Sequence, residues 1–481
     1  MATDLFISVD QGTTSTRGLL FNSKGECLFT HQLPVTQYRP KPGYTEHDPV
    51  EIINGVKKCI EECVAFADSP IKGTFRCVVG IAIGLTNQRE TTIAWDRLTG
   101  EPLYNAVVWL DTRTSHIVDN LIDVHKDKNA FLVKKIIEFY FENNRNAYFN
   151  NVPKVKEAAK KGTLCFGTVD SWMFYKLLGR HITDVSNASR YFLMNLSTCS
   201  WDSELCQTFG INREYLPEIV SSSELYGYYK TNNGQRIPIA GCLGDQQAAL
   251  VGHQCFSIGS LKNTYGTGCF LLANTGNVPV FSGKGLVATV AYKLGPQEPV
   301  VYAIEGSIAI AGAGINWLKQ NLKIIESEDD FNNACSETPS TEGVYFVPAF
   351  SGLFAPYWAL EAKGKHIIRA LMESFAYQAR DVKQFKKSEK IVEVIKDEMN
   401  YDKIHFKVDG GVSNSDVCVQ FQSDILGTTV ERPKMRESTG LGAAIAAGLG
   451  VGFWKNLTQV SNSINPDIQV FTPKMSQEGS L

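Results

Sequence analysis

Short apolar runs separated by turn residues dominate the first 110 residues and predict a series of β-strands. The runs lie near residues 5–9, 16–21, 26–31, 78–85, 91–95 and 104–109. Between the third and fourth runs, apolar residues recur with helical spacing and predict a helix from Pro49 to about Ala67. Asp48 is placed to be its N-cap and Pro49 its first residue. This part of the chain therefore has a mixed α/β pattern.

The rest of the chain gives a mostly helical region and then a second set of strands. Residues 112–162 are rich in Lys and Asn and have helical spacing, and strand-like runs restart at about residue 255. Residues 438–448 predict a helix of small residues that packs closely on a neighbour. We place one domain boundary near residue 254, which gives an N-terminal domain of residues 1–254 and a C-terminal domain of residues 255–481.

Composition narrows the class of protein. The 481 residues are 43% hydrophobic and 20% charged, which is ordinary for a globular enzyme. A net charge of −3 gives no electrostatic case for binding nucleic acid. The 12 cysteines include no C-x-x-C pair and indicate buried thiols in a reducing compartment. With no secretory signal pattern and no apolar run long enough to span a membrane, we expect a cytoplasmic protein.

The segment from Phe6 to Arg17 carries the first candidate chemistry. An apolar run ends at Asp10 and is followed by a glycine and a hydroxyl-rich turn. The backbone N–H groups and hydroxyls of such a turn can surround phosphate oxygens. Asp10 could hold Mg²⁺, and Arg17 could neutralise charge on a transferring phosphoryl group. Taken alone, this segment fits an ordinary surface hairpin equally well.

Three further segments repeat the theme of a strand that opens into a turn of small or acidic residues. They are Gly244-Asp-Gln246, residues 264–268 and residues 404–411. Asp245 and Gln246 directly follow a glycine, which predicts a sharp turn that presents both side chains. The turns at about residues 10, 266 and 410 fit a nucleotide gripped between two similar halves. Glycines there would let a nucleotide approach the backbone closely.

Together these motifs make a set that resembles the FGGY sugar kinase family, which shares the actin and heat-shock ATPase fold, and within it the glycerol kinases. The matching segments are Asp10-Gln-Gly-Thr-Thr-Ser-Thr-Arg17, Gly84-Leu-Thr-Asn-Gln-Arg-Glu-Thr91, and residues 95–100, 105–113, 167–172, 183–190, 244–247, 265–268 and 346–358. The resemblance runs from residue 1 to about residue 455. It implies two ribonuclease H-like domains with an ATP and substrate cleft between them. It also implies phosphorylation of glycerol to sn-glycerol 3-phosphate by ATP and Mg²⁺.

The resemblance further assigns residues to roles. It implies Asp245 as general base, Asp10 and Arg17 as further catalytic residues, and Asp10 and Asp245 as metal-binding residues. The implied glycerol-binding residues are Arg89, Glu90, Trp109, Tyr148, Asp245, Gln246 and Phe270. The implied ATP-binding residues are Thr13, Thr14, Ser15, Arg17, Gly266, Thr267, Gly268, Gly312, Asn316, Gly411 and Asn414. Adjacent residues on a strand point to opposite faces, so Arg89 and Glu90 can share a substrate only if the strand ends there.

Two alternatives stay open. One is a kinase for another polyol or a ketose. The other is a catalytically impaired ATP-binding regulatory protein, which is favoured by departures from the family pattern near residues 113–152, near 358–366 and at the C-terminus. The intact Asp10 and Asp245 favour an enzyme. A homodimer is left open as the oligomeric state. The sequence contains no P-loop pattern G-x-x-x-x-G-K-[ST], which disfavours that class of nucleotide-binding enzyme.

Overall fold

Contacts within the chain group it into two units. The computed structural model describes residues 3–68, 78–113, 152–266, 268–283, 285–308, 311–337, 391–399 and 404–475. The first unit comprises residues 1–254, 289–301 and 438–465, and the second comprises residues 255–288, 302–437 and 466–481. The sequence predicts two continuous domains, 1–254 and 255–481. The grouping differs from this prediction because it assigns residues 289–301 and 438–465 to the first unit. Those domain limits stay a prediction.

Strands are the main elements in the first part of the chain. They are β1 (Thr3–Gln11), β2 (Ser15–Asn22), β3 (Cys27–Pro34), β4 (Glu46–His47), β5 (Val78–Asn87), β6 (Thr92–Asp96), β7 (Ala106–Val107), β8 (Leu164–Thr168), β9 (Ile182–Asp184), β10 (Met194–Asn195), β11 (Ser200–Trp201), β12 (Glu218–Val220), β13 (Ser223–Lys230) and β14 (Arg236–Gly244). The predicted strand at 104–109 is reduced to the two residues of β7.

Helices connect and cover these strands. They are α1 (Pro49–Asp68), α2 (Pro153–Lys161), α3 (Val169–Leu178), α4 (Val185–Ala188), α5 (Ser203–Thr208) and α6 (Asp245–Gly252). A 3₁₀ turn covers Arg213–Tyr215. Of the predicted helical region 112–162, residues 114–151 lie outside the described residues.

The central sheet of the first unit has six strands in the order β13-β14-β5-β1-β2-β3. Strands β14, β5 and β1 are parallel neighbours, whereas β2 and β3 complete an antiparallel meander with β1. The β1–β2 hairpin is closed by the N–H of Gly12, which donates to the carbonyl of Ser15 at 2.9 Å. A separate four-stranded sheet has the order β4-β7-β6-β8.

Helix α1 covers one face of the central sheet, as its apolar spacing predicts. Ile52, Val56, Ile60 and Val64 are all buried in the core. Full burial of such a side chain stabilises the fold by roughly 1.5–3 kcal/mol. The carboxylate of Asp48 accepts the N–H of Val50 at 2.8 Å, so the predicted helix start is confirmed.

The helix of small residues, α11 (Ser438–Gly450), packs against this sheet and against α6. A Cβ atom added to Gly442 would lie 1.8 Å from the carbonyl oxygen of Ala248, and one added to Gly84 would lie 2.0 Å from that of Ala443. The backbones therefore meet with only hydrogen atoms between them. The predicted close packing of residues 438–448 is confirmed.

The strands of the second unit belong to a seven-stranded sheet that repeats much of this topology. This sheet has the order β17-β18-β16-β15-β19-β20-β21, with β15, β19 and β20 parallel and β15, β16 and β18 forming the antiparallel meander. These strands are β15 (Ser260–Tyr265), β16 (Cys269–Gly276), β17 (Val287–Tyr292), β18 (Val301–Ile308), β19 (His405–Asp409), β20 (Val430–Pro433) and β21 (Ile468–Phe471). The two units therefore share strand order without sharing an exact sequence repeat.

The remaining helices complete the described chain. They are α7 (Gly312–Trp317), continued by a π turn at Leu318–Leu322, α8 (Glu328–Glu337), α9 (Ile391–Met399), α10 (Asp416–Leu426) and α12 (Leu457–Ser463), with a 3₁₀ turn at Gly411–Asn414. The described cysteines are free thiols, and eight of them are buried, including Cys59 and Cys63 in α1, whereas Cys27, Cys199 and Cys418 are partly exposed. Among the helices that the structure describes, none is long and apolar enough to cross a membrane.

We expect Gly442→Ala to destabilise the first unit, because the new methyl group would overlap backbone atoms that cannot rotate away. The free energy of unfolding should fall by about 1–3 kcal/mol or more. Gly55→Ala, inside α1, is the matched control. Its Cβ would lie 3.4 Å from the Thr16 hydroxyl, an ordinary contact, so helix propensity should leave stability equal or raised by up to about 1 kcal/mol. Denaturant unfolding measures both, and equal losses would contradict the packing argument.

Candidate active site

Three parallel strands of the first unit end in the same row of the sheet. Gln11 is the partner of Asn87 across β1 and β5, and Gly244 is the partner of Asn87 across β14 and β5. The segments that leave this row therefore begin side by side. In open α/β sheets, ligands bind outside the carboxyl ends of the strands. Each predicted site segment of the first unit, around Asp10, Arg89 and Asp245, lies at this edge.

Asp10 and Arg17 face each other across the β1–β2 hairpin. They are cross-strand partners, and the Arg17 guanidinium donates to the Asp10 carboxylate. Asp10 is buried, whereas the Arg17 side chain is 30% exposed. The structure thus brings together the predicted metal-binding acid and the predicted phosphate-binding arginine. Two carboxylates, Asp10 and Asp245, at this edge are the kind of hard oxygen ligands that suit Mg²⁺.

Trp109 connects the turn of this hairpin to the loop after β7. Its indole N–H donates to the hydroxyl of Thr13 at 2.9 Å, and its backbone N–H donates to the hydroxyl of Thr91 at 3.2 Å. A buried ion pair between Arg113 and Glu46, at 2.8 Å, anchors the end of the loop. Trp109, a predicted glycerol-binding residue, therefore contacts Thr13, a predicted ATP-binding residue, through its indole N–H.

Arg89 and Glu90 lie in a turn and not within a strand. Strand β5 ends at Asn87, β6 begins at Thr92, and Glu90 has a φ of 64°. A left-handed backbone is unfavourable for a residue with a side chain, so the surroundings must enforce it. The hydroxyl of Thr92 donates to the Glu90 carbonyl at 2.9 Å. The condition set by the sequence, that the strand ends at this pair, is met.

Each member of this pair has a partner of opposite charge. The Nε of Arg89 lies 3.1 Å from Oδ1 of Asp245, and the Nε of Arg190 lies 2.6 Å from Oε1 of Glu90. The Arg89 side chain is 4% exposed and that of Asp245 is 28% exposed. Of the two side chains, that of Asp245 is therefore the more exposed to solvent.

The surroundings of Asp245 differ from the sharp turn that the sequence predicts. Gly244 ends β14, and Asp245 is the first residue of helix α6. A carboxylate in a first helical turn is favoured by the helix dipole. Gln246, predicted to be presented beside Asp245, is buried instead. Asp245 therefore leaves the sheet as the first residue of a helix.

Several polar residues of this site were not given roles by the sequence. Gln247 accepts a hydrogen bond from Arg89 at 3.4 Å and donates to the carbonyl of Val290 at 3.2 Å. Arg190 holds Glu90 as described above. Both residues belong to motifs that carry the family resemblance, 244–247 and 183–190, and this was the only signal that could have found them.

Two aspartates, Asp170 and Asp184, are completely buried beneath this site. Burial, and the charge of Asp184 beside it, raise the pKa of Asp170 from 3.8 to about 7. Burial also raises the pKa of Asp184. Ligand atoms of Asp170, Asp184 and Cys242 lie within 4.8 Å of one another. The aspartates are surrounded by hydroxyl and amide donors, which suit a carboxylate and not a cation, so we do not interpret the cluster as a metal site.

Five predicted nucleotide-binding residues of the second unit line a single cavity of about 210 Å³. They are Gly266, Gly312, Asn316, Gly411 and Asn414. The side chains of Ile315, Phe331 and Val412 supply the apolar part of the lining, and the asparagines supply amide groups. Such a lining suits a flat heterocyclic base.

The glycines around this cavity are there because the backbones approach closely. Gly410 follows β19 with a φ of 86°, and a Cβ there would lie 2.3 Å from the carbonyl oxygen of Tyr265. The N–H of Gly312 donates to the carbonyl of Gly266 at 3.0 Å. The loops after β15 and β19 therefore meet at the carboxyl end of two parallel strands, as the corresponding loops do in the first unit.

The other predicted residues have varied positions. Thr14 is exposed, Ser15 is half-buried at the start of β2, Gly268 is buried beside β16, and Phe270 is half-buried on β16. Tyr148 and Thr267 lie outside the described residues. The departures near 113–152 and 358–366 fall largely outside them as well.

Comparison with known proteins agrees with this arrangement. The N-terminal domain of the FGGY family of carbohydrate kinases matches residues 5–252, and the C-terminal domain matches residues 261–451. A glycerol kinase of Beijerinckia indica is 46% identical over 472 residues, which cover 93% of this chain and 90% of that protein. A glycerol kinase of Arabidopsis thaliana is 44% identical over 499 residues, covering 98% and 94%.

A solved structure extends the likeness to three dimensions. The crystal structure of Plasmodium falciparum glycerol kinase with ADP has a TM-score of 0.86 and 36% identity, and the match covers 100% of this chain and 96% of that one. These matches define a carbohydrate kinase of the two-domain α/β type, and the chain belongs to the FGGY family of carbohydrate kinases. The predicted fold class of two ribonuclease H-like domains is confirmed.

The buried acid Asp170 predicts a pH dependence of stability. Its pKa is higher in the folded chain than in the unfolded chain, so between about pH 4 and 7 the unfolded state releases a proton that the folded state keeps. Stability from this group is complete below pH 4 and is lost as the pH rises to about 7. We expect Asp170→Asn to remove this dependence, so that its free energy of unfolding falls less than that of the parent across this range. The difference should be on the order of a few kcal/mol. Denaturant unfolding at pH 5 and pH 8 measures this change. If the free energies of unfolding of the parent and of Asp170→Asn change equally between the two pH values, the assignment is contradicted.

Proposed function

We propose that this chain catalyses the ATP-dependent phosphorylation of glycerol to sn-glycerol 3-phosphate. The observation that carries the proposal is the Arg89–Asp245 contact of 3.1 Å at the row where β1, β5 and β14 end. It sets a cationic donor beside an accessible carboxylate. The near-full-length similarity to glycerol kinases supports glycerol as the polyol.

Glycerol needs donors and acceptors for its hydroxyl groups on several sides. In the proposal, Arg89 donates a hydrogen bond to one hydroxyl oxygen, and Glu90, held by Arg190, accepts a hydrogen bond from another hydroxyl group. Trp109 and Phe270 contact the carbon chain, and Gln246 and Tyr148 supply further polar contacts. These binding roles rest on the family resemblance and on the positions described above.

Asp245 acts as the general base in this proposal. A general base must lie within hydrogen-bond reach of the hydroxyl that attacks the phosphorus. Arg89 donates to Asp245 and to the substrate, so the same guanidinium orients both the base and the alcohol. The proton of the attacking hydroxyl moves to a carboxylate oxygen of Asp245 as the new oxygen–phosphorus bond forms. ADP leaves with the electron pair of the broken bond.

ATP is bound in the proposal by residues at the carboxyl ends of strands in both sheets. The cavity lined by Gly312, Asn316, Gly411 and Asn414 takes the base and ribose. Thr13, Thr14, Ser15, Arg17, Gly266, Thr267 and Gly268 hold phosphate oxygens. Asp10 and Asp245 would hold Mg²⁺, which neutralises phosphate charge when bound. A cytoplasmic location completes the proposal, and a homodimer stays open as the oligomeric state.

Release of ADP from purified protein with Mg-ATP, with and without glycerol, tests this function. Xylulose and gluconate serve as control substrates, since solved carbohydrate kinases for both share the fold at about 20% identity. Strong stimulation by glycerol alone is the expected result. Stimulation by another substrate alone would refute glycerol as the substrate. ATP binding without stimulation by any substrate would favour a regulatory protein.

We expect Asp245→Asn to abolish transfer while ATP binding is retained, because the amide cannot accept the hydroxyl proton. General base catalysis contributes roughly 10²–10⁴-fold, so kcat should fall by that range. Asp467→Asn is the control, since its ion pair with Lys434 is exposed and both residues belong to the second unit, whereas Asp245 belongs to the first. Steady-state kinetics measure both, and a wild-type kcat in Asp245→Asn would refute the role of base.

Gly244→Ala tests the position of Arg89. The backbone of Gly244, with φ −59°, accepts an alanine, but its Cβ would lie 2.8 Å from Cγ and Cδ of Arg89. Arg89 must then shift, and loss of a charged hydrogen bond should raise the KM for glycerol about tenfold or more. The KM for ATP should not change. Gly283→Ala, whose Cβ meets no atom within 4 Å, is the control. An unchanged glycerol KM in Gly244→Ala would contradict Arg89 as a glycerol ligand.

A further inference from the structure

We propose that Asp184 is a positioning residue that sets the spacing between the general base and the polyol-binding pair. The proposal rests on the function proposed above and adds to it a residue that does not touch the substrate. It follows from a network of hydrogen bonds that starts at the Asp184 carboxylate and reaches both site segments, 87–90 and 244–247.

The carboxylate of Asp184 is the centre of this network. Its Oδ2 accepts the N–H of Ser186 at 2.9 Å and the hydroxyl of Ser222 at 2.7 Å. Its Oδ1 accepts the N–H of Asn187 at 2.9 Å, the side-chain amide of Asn187 at 2.8 Å and the hydroxyl of Ser186 at 3.0 Å. A buried carboxylate is costly unless it is fully hydrogen-bonded, and these donors offset that cost. They also fix the four-residue helix α4.

One branch of the network leads to the general base. The hydroxyl of Ser186 donates to Asp184 and accepts the backbone N–H of Gly244 at 3.0 Å. Gly244 is bonded directly to Asp245. A hydroxyl with its proton committed to Asp184 presents its lone pairs to Gly244, so the charge on Asp184 orients the bond that holds the start of α6.

A second branch leads to the polyol-binding pair. The side-chain amides of Asn187 and Asn87 exchange two hydrogen bonds, each 3.1 Å long. The same Asn187 amide also donates to Asp184, which sets the direction of the amide group. Asn87 ends β5, and its amide further donates to the carbonyl of Gln88 at 2.9 Å. Asp184 therefore fixes the point from which Arg89 and Glu90 leave the sheet.

The residues after α4 strengthen both branches. Ser189 accepts the N–H of Val290 at 3.2 Å and shares a hydrogen bond of 2.8 Å with the hydroxyl of Thr289. Thr289 accepts the amide of Gln247 at 3.3 Å, and Gln247 accepts from Arg89. One short segment, 184–190, thus holds Asp245, Arg89 and Glu90. A polar network of this kind holds reacting groups in place, and misplacement by about 1 Å can cost 10²-fold in rate.

The two branches allow a test that a general loss of stability would not reproduce. Ser186→Ala cuts the branch to the base, so kcat should fall roughly tenfold or more while the KM for glycerol changes little. Asn187→Ala cuts the branch to Asn87, so the KM for glycerol should rise roughly tenfold with a smaller change in kcat. Asp184→Asn, which turns one acceptor into a donor, should show both effects. Rates are expressed per site that binds Mg-ATP, so that inactive protein does not count.

Asp202→Asn is the matched control. Asp202 is also the N-cap of a short helix, α5, and accepts the N–H groups of Glu204 and Leu205, but the described contacts link it to neither site segment. Its kinetic constants should equal those of the parent. If Asp184→Asn does not fold, the Ser186→Ala and Asn187→Ala pair decides the question alone.

The outcomes separate the inference from the proposed function. A parent enzyme without glycerol-stimulated ADP release overturns the function and the inference with it. The inference alone is overturned if the parent is active on glycerol and both Ser186→Ala and Asn187→Ala keep its kinetic constants per ATP-binding site. It is also overturned if the two variants change kcat and the KM for glycerol to the same extent. A lower kcat in Ser186→Ala and a higher KM for glycerol in Asn187→Ala, with neither change in Asp202→Asn, support the inference.

Discussion

The shared end row of three parallel strands is the constraint on which the first unit's site depends. Because Gln11, Asn87 and Gly244 lie in register, residues that are more than 70 positions apart in sequence leave the sheet at one place. A shift of one strand by one residue would turn its side chains to the opposite face. Register is held by apolar contacts in the core and by α11 behind the sheet. The chemistry at the edge is thus a consequence of packing far from it.

Charge balance is the second organising feature. Asp10, Glu90 and Asp245 each lie beside an arginine, and most of these side chains are nearly buried. Unpaired charges at such depth would be strongly unfavourable, whereas paired ones supply fixed donors and acceptors for an uncharged polyol. Beneath them, Asp170 and Asp184 form a buried acid pair whose raised pKa values reflect the cost of burial. The site therefore contains several charged side chains whose charges nearly cancel.

Local patterns in the sequence were sufficient for much of the fold. The stripe on α1, the strand end one residue after Asp10, the strand end at Asp409 and the small-residue helix follow from spacing and turn residues alone. The resemblance to a family identified Arg89, Glu90 and Asp245. Neither source gave the left-handed backbone of Glu90 or the helical start at Asp245, because both depend on residues distant in sequence. The role of segment 183–190 was missed for the same reason, since its hydrogen-bond partners at 87 and 244 become visible only when the strands are aligned.

Helix α11 has a consequence for the order of synthesis. Residues 438–450 fill the space behind strands that all end at residue 244 or earlier, so the ribosome makes these strands long before the helix. The first unit can therefore not complete its core from its own N-terminal sequence while translation is under way. The apolar surface of strands β1, β5 and β14 that α11 covers therefore stays exposed until residues 438–450 have emerged from the ribosome. Domains that fold one after another during synthesis avoid this exposure, whereas here a chaperone that shields the nascent sheet would have a defined interval in which to act.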